Sequence, residues 1–123
     1  MQIVHHSNYI RWFEEARTDI LERMGIECGK IEKQGVLFPV LKIEANYRRM
    51  LRFGDVVSIE THIKKYNGIK VTITYEVKDD KTGKLCCDGY SEHCFLNLEG
   101  KPISLKRLYP ELDQLFQNEL ENS

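Results

Sequence analysis

No stretch of the chain approaches the roughly 20 consecutive apolar residues that a bilayer-spanning helix needs, and the N-terminal residues lack a basic-then-apolar signal pattern. The expected location is the cytoplasm, with no membrane partner. A dominant charge sign is missing as well. Eighteen lysines and arginines stand against 19 acidic residues, a formal net charge of −1, which gives no bias toward nucleic acid. Metal-site cysteine spacings are absent: Cys28, Cys86, Cys87 and Cys94 contain no C-x-x-C pair and read as reduced thiols in or near a core. No metal is expected, because the adjacent His5 and His6 lack the spacing that puts two ligands on one face, and no carboxylate or cysteine set completes a site. Repeats and low-complexity tracts are also absent.

What remains, over 123 residues, is one domain, with a core over about residues 3–105 and a peripheral C-terminal helix at about 110–121. Such a chain is small for an enzyme that must enclose a substrate unaided, so a site shared between subunits stays open. The run from His5 to Arg17 concentrates two histidines, an amide and a phenol just ahead of a strongly apolar helical pattern: Ile10, Phe13, Arg17, Ile20, Leu21 and Met24, widened by Trp12 and Ala16. Ser7 or Asn8 is expected as N-cap, Glu14 and Arg17 as a one-turn ion pair, and Gly25 as the stop. A helix mouth offers unpaired N–H donors to a carbonyl oxygen or an anion; a polar lead-in to an ordinary capped helix explains the same residues.

Residues 27–36, interrupted by Gly29 and Gly35, read as an irregular connection. Period-two alternation then marks strands at 37–47, 57–64, 71–77 and 85–98, and Asn67-Gly68 predicts a type I′ hairpin turn. The pattern is a meander of long antiparallel strands. One apolar helix and several such strands bury their faces most simply if the sheet wraps the helix, an α+β architecture.

The stretch His5-His6-Ser7-Asn8-Tyr9-Ile10-Arg11-Trp12-Phe13-Glu14-Glu15-Ala16-Arg17, followed by Phe38-Pro39-Val40, Tyr47-Arg48-Arg49 and Phe53-Gly54-Asp55, closely resembles the hotdog-fold acyl-CoA thioesterases of the 4-hydroxybenzoyl-CoA thioesterase-like group. The similarity fades after Pro102. The resemblance implies a hotdog fold, a long helix wrapped by a curved antiparallel sheet. It also implies hydrolysis of an acyl-CoA thioester at a subunit interface without metal or redox cofactor, coenzyme A entering only as part of the substrate. Self-association into dimers or tetramers is expected. The family histidine, asparagine and tyrosine fall on His6, Asn8 and Tyr9, and the helix N-terminus would polarise the thioester carbonyl. The family's first strand and its catalytic aspartate lie just ahead of the position matched by Met1 and are absent from these residues. Two readings follow: a thioester hydrolase whose native chain supplies that aspartate upstream of Met1, or a non-catalytic acyl-CoA or acyl-carrier-binding module.

By their own surroundings, Tyr9 and Trp12 read as wall and core. Arg48, Arg49, Lys64 and Lys65, in basic clusters at strand ends, are the candidates for contacts to coenzyme A phosphates, with solvated surface charge as the alternative. His62 reads as surface, and His93 and Cys94 as packing in the last strand.

Overall fold

The computed structural model describes residues 6–52 and 54–122, with the side chains of residues 6–8, 28 and 122 outside that description. Helix α1 (His6–Arg23) comes first, then a short α2 (Cys28–Lys33) and four strands: β1 (Val40–Tyr47), β2 (Val57–Tyr66), β3 (Lys70–Asp79) and β4 (Leu85–Cys94). Two helices close the chain, α3 (Leu105–Leu108) and α4 (Pro110–Asn122). Helix α1 ends where expected: the Gly25 and Ile26 N–H groups donate to the carbonyls of Glu22 and Leu21 and satisfy the last turn. Its start differs, since Ser7 and Asn8 stand inside the first turn rather than ahead of it.

The strands form one antiparallel sheet in the order β1-β4-β3-β2. Thus β2, β3 and β4 form the expected meander, while β1 crosses over to pair with β4. Alternation fixes the faces. Val71, Ile73, Tyr75 and Val77 sit opposite His93, Ser91, Gly89 and Cys87 and turn inward, whereas Thr72, Thr74 and Glu76 turn outward with Glu92, Tyr90 and Asp88. Helix α1 lies on the inward face, with Phe13 and Ile20 buried there.

Further local expectations are corrected. Residues 28–33 are helical, because Ile31 buries itself in the core and draws the segment into a turn of helix. The Asn67-Gly68 turn is not type I′: of its two residues only Gly68 has positive φ (89°), and among the described residues no residue other than glycine does. The Asn67 carboxamide oxygen accepts from the N–H groups of Ile69 and Lys70, holding Asn67 as the residue before the turn and making Gly68 and Ile69 its central pair, the pattern of a II′ turn. Helix α4 is no peripheral appendage. Phe116 is buried among Phe38, Tyr66 and Phe95, and Tyr66 donates a 2.6 Å hydrogen bond to the buried Asp113 carboxylate. The last strand also ends earlier than expected, at Cys94, with Leu96 bridging singly to Leu37 and Pro102. No helix among the described residues is long and apolar enough to cross a membrane.

Candidate active site

The first turn of α1 opens beside the C-terminal end of β1. Tyr9 marks the junction, with its ring edge-on to Trp12 (centroids 5.3 Å) and to Tyr47 (5.0 Å), and with 3% of its surface exposed. Burial, and then the neighbouring Cys87, Cys86 and Tyr47, push its hydroxyl from the ordinary 10.0 up to about 12. A phenol held this firmly protonated is no general base, and its ring packs against Trp12 and Tyr47 at the helix mouth. Cys87 is likewise pushed up to about 11, chiefly by burial, and stays a thiol. The side chains of His6 and Asn8, named from the sequence for roles beside Tyr9, lie outside the described residues, as does His5; the backbone places His6 and Asn8 in the first helical turn.

The four basic candidates separate into two pairs. Arg48 and Arg49 follow Tyr47 directly, their N–H groups both donating to the Cys86 carbonyl, so they stand at the helix mouth. Arg48 is engaged there: its Nη2 reaches both carboxylate oxygens of Asp88, at 3.0 and 3.3 Å. Arg49 has no ion pair among the described residues and is exposed. Lys64 and Lys65 sit at a bulge in β2, where the register shifts between Ile63 and Lys65. They line a groove of about 410 Å³ together with Thr72, Thr74 and Tyr90, on the sheet face turned away from α1.

A buried polar row went unread at the sequence level. Arg17 Nη1 donates to the Tyr75 hydroxyl (3.3 Å), which is 2.6 Å from Ser91 Oγ, which in turn lies 2.7 Å from His93 Nε2. The expected Glu14–Arg17 pair is not formed: Phe13 and Arg17 lie one turn apart along the sheet-facing side of α1, while Glu14 faces solvent. His93 is fully buried, and burial, followed by the Arg17 charge, lowers its imidazole from 6.5 to about 4, with the Pro39 backbone opposing. The missed signal was inward polar side chains in a strand: Ser91 and His93 share the inner face with Cys87 and Gly89.

Alongside this row, α1, α2 and residues 36–39 enclose an open-sided cleft of about 450 Å³. Among the described residues, no group of three or more histidines, cysteines or carboxylates could hold a metal ion.

A long helix laid along the inner face of a curved antiparallel sheet, with its N-terminus opening at an edge strand, is the hotdog class of fold. The family model of the Thioesterase-like superfamily matches residues 1–116. The chain belongs to this superfamily, and with it to the thioester hydrolases. A Bacillus subtilis protein named "Putative acyl-CoA thioesterase YneP" is 34% identical over 118 residues, which are 95% of this chain and 85% of that protein. Among solved structures, a DHNA-CoA thioesterase from Staphylococcus aureus superposes with a TM-score of 0.88 at 30% identity, covering 96% of this chain and 79% of that one. The hypothetical protein TT1821 from Thermus thermophilus gives 0.80 at 29%, covering 97% and 85%.

Proposed function

We propose that the protein hydrolyses acyl-coenzyme A thioesters at a site completed by a second copy of the chain. The observation that carries this reading is the position of the helix mouth: the first turn of α1 opens beside Tyr47 on β1, an edge strand whose Val40, Leu41 and Tyr47 are 43%, 52% and 50% exposed. An edge strand presents a row of backbone donors and acceptors. Pairing β1 with its counterpart would extend the sheet across two subunits and bring a second wall over the mouth. Assembly into a dimer, and of dimers into a tetramer, follows from this reading.

In the proposed reaction, the thioester carbonyl oxygen lies against the N–H groups of the first turn of α1, where the positive end of the helix dipole favours developing oxyanion charge. The resemblance gives His6 and Asn8 their roles beside the carbonyl, and Tyr9 packs at the mouth. The resemblance assigns the attacking role to an aspartate ahead of the position matched by Met1, which would either deprotonate a water that attacks the carbonyl carbon, or attack it directly to give an acyl-enzyme that water then cleaves. In both routes the C–S bond breaks, the sulfur takes a proton, and the products are a carboxylate and coenzyme A. Neither route uses a metal or a redox cofactor. Arg48 and Arg49 stand where phosphates of coenzyme A would enter. The similarity to a DHNA-CoA thioesterase supports aromatic acyl groups as the first substrates to test.

The deciding experiment assays the longest native form on short, medium and aromatic acyl-CoAs. Thioester cleavage that falls steeply when the upstream aspartate becomes asparagine is the expected result. Tight binding without turnover would instead favour the non-catalytic acyl-CoA-binding reading.

A further inference from the structure

The cleft between α1, α2 and the approach to β1 has an unusual combination of walls. Leu21, Ile31, Val36, Leu37 and Phe38 make it apolar, yet Arg17 lines it from α1 beside Thr18. Arg17 is half-buried, and its one hydrogen bond among the described residues is the 3.3 Å contact to the Tyr75 hydroxyl. None of the ion pairs among the described residues includes it. Tyr75 offers no charge to offset the guanidinium, and its hydroxyl is already shared with Ser91. Among the described residues this partly desolvated guanidinium has no carboxylate partner and most of its five N–H donors meet no protein acceptor, a chemistry suited to an anion. The volume, about 450 Å³, falls within the range of small-molecule pockets.

From this geometry we propose that the cleft binds a carboxylate carried on an apolar body, the carboxylate meeting Arg17 in a forked pair with Thr18 alongside and the body lying on Phe38, Leu37 and Leu21. A carboxylate fits better than a phosphate. The rim also carries the exposed Glu32, which repels a dianion more than a monoanion, and a phosphate would leave the apolar wall uncovered. Two sources share this chemistry. One is a free organic acid. The other, which rests on the thioesterase reading, is the acidic far end of an acyl group whose thioester sits at the helix mouth. Tyr9 to Arg17 spans eight residues of α1, roughly 12 Å of helical rise; Tyr9 meets Tyr47 at the end of β1, and Arg17 shares the cleft with Phe38, just ahead of the start of β1.

The test is calorimetric titration of the whole chain with octanoate, with octan-1-ol and with inorganic phosphate. Octanoate is expected to bind at a single site, about tenfold or more tighter than either control. Arg17→Met should abolish that preference and Arg17→Lys should retain part of it. Because Arg17 also touches Tyr75, Glu32→Gln supplies a variant with no buried contact at stake, and it should tighten octanoate several-fold. Octanoate binding that is absent, equal to that of octanol, or unchanged in both Arg17→Met and Glu32→Gln overturns the proposal. Repeating the titration with a saturating, non-hydrolysable acyl-coenzyme A thioether whose acyl chain ends in a carboxylate assigns the source: undiminished octanoate binding points to a free acid in a separate site, and competition to the far end of an acyl group. Since the readout is binding, a protein that cleaves no thioester still tests the cleft.

Discussion

Phe13 of helix α1 stacks face to face on Tyr75 of strand β3, with ring centroids 4.5 Å apart and planes 9° from parallel, over the point where Tyr75 pairs with Gly89. A side chain at position 89 has nowhere to go. A Cβ there would lie 2.8 Å from Cε2 of Phe13 and would run into the carbonyl oxygen of Glu44 on the neighbouring strand. The absent side chain at Gly89 therefore sets how closely α1 approaches the sheet. Gly89→Ala should lower stability by about 2 kcal/mol or more, because both neighbours are fixed. Urea unfolding would show a lower midpoint with an unchanged m-value, and a variant as stable as the parent would mean that α1 can lift off the sheet at little cost.

Tyr9 offers a test of wall against chemistry. Its hydroxyl is held protonated up to about 12, so Tyr9→Phe should leave kcat and KM for acyl-CoA within about threefold, while Tyr9→Ala opens the junction with Trp12 and Tyr47 and destabilises by about 3–5 kcal/mol. A kcat that falls by about a hundredfold in Tyr9→Phe would put the phenol back into the reaction.

The period-3.6 stripe of α1 and the alternation of β2 and β3 were legible because each residue's burial depends mainly on its own element's geometry. Strand order was not, because alternation says which face is buried and nothing about the neighbour; β1 pairs with β4 because α1 and α2 deliver the chain to that edge. The same limit hid Gly89, whose need for hydrogen comes from Phe13 and Glu44, both far away in sequence. Helical spacing points Arg17 to its neighbour Glu14, whereas its partner, Tyr75, lies 58 residues on. The II′ turn was missed for a local reason: the Asn67 side chain bonds forward to the backbone and shifts the turn along by one residue.

His93 ties stability to pH with a definite sign. Its native value of about 4 lies below the unfolded 6.5, so the folded state excludes a proton that the unfolded chain accepts. The corresponding stability is fully present above pH 6.5 and is lost as the pH falls toward 4. Between pH 7 and pH 5 the loss from this group is about 2 kcal/mol. His93→Gln keeps a hydrogen-bonding side chain beside Ser91 without the titration, so its denaturant midpoint should change less over this interval. Parallel curves for the two proteins would show that His93 is not the group responsible.

The separation of the basic pairs predicts different kinetic consequences. Arg49 is exposed at the helix mouth without an ion pair among the described residues, and Arg48 beside it is committed to Asp88 at 3.0 Å. Lys64 and Lys65 lie on the sheet face turned away from α1. If coenzyme A phosphates enter over the end of β1, Arg49→Ala should raise KM for acyl-CoA about five- to tenfold with kcat little changed, the signature of lost uniform binding. The effect should shrink with salt, as expected for an exposed charge. Arg48→Ala should raise KM less per charge removed, since the released Asp88 adds repulsion but the lost cation was already half neutralised. The double replacement of Lys64 and Lys65 by alanine should leave both constants within about twofold. A large KM effect from the lysines and none from Arg49 would place the phosphates on the outer face of the sheet, and with them the mouth that a second subunit must help to form.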